Sequence, residues 1–76
     1  MLDNGIETEL LKEFGKRLVM RKEEIIKFLK GRVSDPHYMA KILIQSLIQR
    51  GLITYIYSGS SSYAITKTGM RIVGKV

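Results

Sequence analysis

Two short stretches decide how this chain folds: Arg50-Gly51-Leu52-Ile53 and Tyr63-Ala64-Ile65-Thr66-Lys67-Thr68-Gly69. A long apolar run stops at Gly51, and glycine closes helices because it enters the left-handed region without a Cβ penalty. From Leu52 to Tyr57 the chain alternates loosely between β-branched and aromatic types, which predicts a strand. Ser58-Gly59-Ser60-Ser61-Ser62 is too short for a linker and lies between two strand-like runs, so it predicts a hairpin loop. Tyr63-Ala64-Ile65 supplies the partner strand. Thr66 is the expected cap of a last helical turn that runs through Ile72.

Upstream of this junction the periodicity is helical. Ile6, Leu10, Leu11, Phe14 and Leu18 recur at helical spacing with charged residues between them, predicting an amphipathic helix over about Glu7 to Arg17. Its acids open it and its bases close it, as the helix dipole favours. Leu18-Val19-Met20 reads as a brief strand. Arg21 to Lys30 forms a second helix with Ile25, Ile26, Phe28 and Leu29 on its buried side, and Gly31 fits its C-terminal cap. Asp35 is the expected N-cap of a third helix and Pro36 its first residue, where a missing N–H costs nothing. That helix runs to about Arg50.

The 76 residues allow one small domain, spanning 1–76. So short a chain buries only about 60% of its unfolded surface, and a partner chain would help it. Composition is that of a soluble globular protein, with 45% hydrophobic and 26% charged residues. No apolar run approaches the ~18 residues of a membrane span, and the polar start is unlike a signal peptide, so an intracellular, cytoplasmic protein is expected. The absence of cysteine excludes disulfides, thiolate metal sites and cysteine catalysis. Net charge is +6 and unevenly spread. Residues 1–35 hold eight Lys/Arg against seven Asp/Glu, whereas residues 36–76 hold five Lys/Arg and no acid. An acid-free half repels no phosphate and favours a polyanionic partner.

The order helix, short strand, helix, helix, strand, loop, strand, helical turn, carried by Gly51-Leu52-Ile53 and Tyr63-x-Ile65-Thr66-x-x-Gly69, resembles the winged helix-turn-helix family, in particular its small repressor-type members. The resemblance covers about Glu7 to Val73. It implies an α+β domain of three helices, a β-hairpin wing and a short C-terminal helical turn. It also implies double-stranded DNA binding, sequence-tolerant or sequence-specific, in a transcription regulator that is nucleoid-associated if prokaryotic. Helix 36–50 would lie in the major groove and loop 58–62 would be the wing. A homodimer, joined through the first helix and the chain termini, would present two such helices one DNA turn apart.

At about 100° per residue, Ala40, Ile44, Leu47 and Ile48 share the core side of the third helix, and Tyr38, Lys41, Ile42, Gln45 and Gln49 share the opposite side. Met39, Leu43, Ser46 and Arg50 fall on one flank. Lys41 suits a phosphate or guanine acceptors, Gln45 an adenine edge, Gln49 the DNA backbone, Tyr38 a phosphate through its hydroxyl or a thymine methyl, and Ile42 a thymine methyl. His37 suits a phosphate hydrogen bond, since one histidine without cysteine is no metal site. Arg32 sits in the turn before this helix, a place where the family touches phosphate, with Lys67 and Lys30 near candidates. Ser60 and Ser61 offer hydroxyls that position without specifying.

Two features keep another reading open. No arginine lies on the outward face, and Tyr38, Met39, Ile42 and Leu43 form an apolar group suited to a protein contact. A winged-helix interaction module in a larger assembly is therefore the alternative. Tyr55, Tyr57 and Tyr63 can stack bases of a single strand, or pack across the hairpin. Catalysis finds no inventory: the chain has no Gly-rich phosphate loop and no usefully spaced histidine–carboxylate pair. No cofactor, metal, membrane or small-molecule ligand is expected.

Overall fold

The computed structural model describes residues 4–57 and 60–74. Chain order is α1 (Asn4–Arg17), β1 (Val19–Arg21), α2 (Lys22–Leu29), α3 (Pro36–Gln49), β2 (Ile53–Tyr55), β3 (Ser62–Ile65) and α4 (Lys67–Ile72). The result is a small α+β fold of four helices and a three-stranded antiparallel sheet ordered β1-β3-β2.

Ile6, Leu10, Leu11 and Phe14 bury one stripe of α1, which begins three residues earlier than its periodicity predicts. The helix stops at an unusual residue. Leu18 has φ 72°, a region that side chains with a Cβ rarely enter. Its N–H bonds the Phe14 carbonyl at 2.7 Å, and its own carbonyl accepts from Ile65 N–H at 3.0 Å. The reversal thus feeds the chain into the sheet at once. Met20, in the middle of β1, is fully buried. The Arg21 N–H donates to the Glu24 carboxylate at 2.8 Å, closing the first turn of α2.

The α3 ends follow the expected chemistry. The Asp35 carboxylate accepts from Tyr38 N–H at 3.2 Å, and Pro36 opens the helix. At the other end Gly51 has φ 74°. Gly51 N–H reaches the Ile48 carbonyl, and Leu52 N–H reaches the Leu47 carbonyl, each at 2.9 Å. This pair of bonds is the Schellman closure. The helix stops at Gln49 and Arg50 serves as its cap, one residue short of expectation.

Thr66 ties the two quoted stretches together. Its hydroxyl donates to the Gly51 carbonyl at 2.7 Å and accepts from Gly69 N–H at 3.0 Å. Its backbone N–H bonds the Leu52 carbonyl at 3.0 Å. Gly69 is buried, and a Cβ there would meet the Leu52 carbonyl and would stand 2.7 Å from Ile65 Cγ1. The glycine lets α4 lie directly on the junction.

β3 is the central strand, pairing Tyr63 with Met20 on one side and with Tyr55 on the other. The expected hairpin is therefore part of a larger sheet, because β1 adds to it. β2 is shorter than expected, running only from Ile53 to Tyr55, whereas β3 is one residue longer, because Ser62 of the expected loop already belongs to it. The C-terminal turn is a helix of six residues. Leu10, Phe14, Met20, Ile25, Leu29, Leu43, Leu47 and Ile53 form the fully buried centre.

Candidate nucleic-acid interface

The outward face of α3 is open to solvent at Lys41, Gln45 and Gln49. Tyr38, in the first turn, is 59% exposed. Ile42 is only half-buried, and His37 is exposed. His37 lines an open cleft of about 360 Å³ with Glu23, Ile26, Lys27 and Lys30, where α2 meets the start of α3. The inward side holds Ala40, Ile44 and Leu47 as expected, with Ile48 half-buried.

The flank is where the angular reading fails. Leu43 is fully buried and Met39 half-buried. The apolar group of Tyr38, Met39, Ile42 and Leu43 therefore does not form an open patch; Tyr38 alone of the four is exposed. Further along the same flank, α1 reaches α3 through Glu7. Glu7, read in sequence as one of the polar residues of its helix, is only 3% exposed. Its carboxylate accepts from the Ser46 hydroxyl at 2.7 Å and from Arg50 Nη1 at 2.8 Å. A buried carboxylate needs such partners, because taking a charge out of water is costly. Ser46 and Arg50, four apart on one flank, were the signal that this side faces an acid rather than solvent.

The same division runs through the other charges. Arg17 pairs with Glu13 at 2.9 Å and with Glu24 at 3.5 Å. Arg32 pairs with Glu9 at 3.5 Å, lies 4.2 Å from the centre of the Phe28 ring, and donates to the Phe28 carbonyl at 3.0 Å. Arg32 is thus oriented by α1 and α2, though its side chain stays half exposed. Lys30, Lys41, Lys67 and Arg71 are exposed, and none of them enters an ion pair among the described residues. Three arginines serve the fold, and lysines dominate the open cationic surface.

The hairpin carries no charged residue from Gly51 to Thr66. Tyr55 and Tyr63 meet across the strands with ring centres 5.4 Å apart. Burial, then the neighbouring Tyr55, raises the pKa of the Tyr63 hydroxyl. The outer residues are open: Tyr55 is 47%, Ile56 44% and Tyr57 71% exposed. Ser60 N–H closes a turn on the Tyr57 carbonyl at 3.0 Å. The half-buried Ser60 hydroxyl accepts from Ser62 N–H at 2.8 Å and donates to its carbonyl at 3.2 Å, so this hydroxyl is engaged within the loop. Ser61 is exposed. The Ser58-Gly59 part of the expected wing lies outside the described residues.

Among the described residues there is no group of three His, Cys, Asp or Glu side chains placed to hold a metal, and no helix is long and apolar enough to cross a membrane. Comparison of the chain with protein-family models, curated proteins and solved structures finds no match.

Proposed function

We propose that the chain is a winged helix-turn-helix domain that binds double-stranded DNA as a transcription regulator, with α3 in the major groove and the loop between β2 and β3 as wing. The observation that carries this reading is the sorting of charge. The arginine partners of Glu7, Glu9, Glu13 and Glu24 hold those acids in ion pairs, while Lys41, Lys67 and Arg71 stand open on an acid-free part of the chain. A surface so arranged attracts phosphates, with Asp35 at the cap of α3 and Glu23 beside His37 the open acids near it.

Lys41 and Lys67 would meet phosphates, with Arg32 and His37 at the margin beside the start of α3. Gln45 would face a base edge and Gln49 the DNA backbone, and Tyr38 and Ile42 would make apolar contacts with thymine methyls. With few open arginines, bidentate guanine reading is weak, and binding tolerates many sequences. A homodimer joined through α1 and the chain termini would carry two α3 helices to neighbouring grooves.

The competing interaction-module reading loses much of its motivation with Leu43 buried and Met39 half-buried. It keeps Tyr38 as an exposed aromatic. Gel shifts separate the two readings. Duplex binding that weakens steeply with salt, and further in Lys41→Glu/Lys67→Glu, is the expected result. Duplex binding absent at micromolar protein, with a protein partner lost in Tyr38→Ala, would establish the alternative.

A further inference from the structure

Tyr55, Ile56 and Tyr57 are three consecutive large side chains left open in the middle of a sixteen-residue stretch without charge. Among the described residues Tyr57 is the most exposed of the large hydrophobic ones. The bond from Ser60 N–H to the Tyr57 carbonyl leaves only positions 58 and 59 between them, so Tyr57 stands at the tip of the hairpin. Tyr55 packs against the buried Tyr63, which anchors the base of the tip on the core. Three adjacent open apolar side chains make a surface suited to an occupant with apolar and aromatic groups.

A second copy of the chain fits this tip poorly. Aromatic side chains bury roughly 150–250 Å² each, so two partly exposed tyrosines with Ile56 between them offer on the order of 300 Å². A stable pair of chains buries about 800 Å² per partner. Charge favours a polyanion instead: the exposed Arg21 and Lys22 lie beside the loop, Arg21 paired with Ser62 and Lys22 N–H bonded to the Ser61 carbonyl, and no acid occurs from residue 36 onward. The tip itself carries no cation, so Ile56 and Tyr57 offer such a ligand apolar contact.

We infer, on the double-stranded DNA reading above, that Tyr57 and Ile56 form an apolar wedge which enters the minor groove, opens a base step and bends the duplex. Apolar wedges act in this way in the minor groove because partial unstacking yields a bent duplex that meets more protein surface. Flexible pyrimidine–purine steps are the preferred points of entry, since they unstack most readily. The lysines then set the salt dependence of binding, and the wedge sets the shape of the complex.

Ligase-catalysed circularisation of fragments of about 100 bp, shorter than the ~150 bp persistence length of DNA, reads this bend directly. Wild-type protein should raise the circularisation rate about tenfold, the equivalent of removing a modest part of the elastic cost. Ile56→Ser/Tyr57→Ser should lose that gain and bind more weakly with an unchanged salt slope, while Tyr57→Phe should keep it. Gel shift and sedimentation of the same samples accompany the assay. Wild-type binding without a gain in circularisation, or a gain that survives the double substitution, would overturn the wedge and leave the DNA reading standing. A double variant that sediments as a smaller species than the wild type would assign the tip to self-association instead. Absence of wild-type duplex binding would overturn the DNA reading and the wedge together.

Discussion

Glu7 and Gly69 are single residues whose roles depend on distant parts of the chain. Glu7 joins α1 to Ser46 and Arg50, about forty positions later. Periodicity along α1 marks Glu7 as polar but gives no sign of this partner, so its burial was not legible locally. The pair Ser46 and Arg50 was visible on one flank, yet nothing near them in the chain named the acid they meet. Arg50→Met should leave the Glu7 carboxylate buried with one donor, costing roughly 1–3 kcal/mol in urea unfolding. Gly69 was legible as part of a motif, and its reason is spatial: the Leu52 carbonyl and Ile65 occupy the place of a side chain. Gly69→Ala should destabilise by about 1–3 kcal/mol, as overpacking against backbone does. An unchanged denaturation midpoint would mean that α4 does not sit on the junction.

Elements closed by residues with special backbone chemistry were the easiest to place. Asp35-Pro36 and Gly51 bound α3, and Thr66 opens α4, each through a bond made within a few positions. The end of α1 at Arg17 was also legible, but its start at Asn4 was not, and nothing in the sequence marked Leu18 for the left-handed conformation usually left to glycine or asparagine. Tyrosines of the hairpin divide by depth: Tyr63 is in the core, Tyr55 covers it, and Tyr57 is open. This division gives the sheet an alkaline signature. The Tyr63 pKa is raised by burial and by Tyr55, so the folded state holds its proton more tightly than the unfolded state. Its contribution to stability is therefore complete below the ordinary tyrosine value of about 10 and declines as pH rises through that value toward the raised one. Unfolding measured from pH 8 to 11 should show a shallower alkaline loss in Tyr63→Phe than in wild type. Parallel curves would contradict the sign of this effect.

At the scale of the whole molecule, charge and topology converge on one surface. Ion pairs among α1, α2 and the end of α3 bind most of the described acids, and the remaining basic side chains face water. The α+β class and the order of elements were legible because each element carries its own period or cap. The open surface was legible only in part: net charge located the acid-free half, but which apolar residues of α3 stay exposed depended on how the other elements pack against it. A salt series of duplex binding tests this account most directly. Log affinity should fall linearly with log salt, by about 0.9 per phosphate neutralised, and Lys41→Gln should reduce the slope by about 1. Binding that is absent, or indifferent to salt between low and moderate ionic strength, would contradict it.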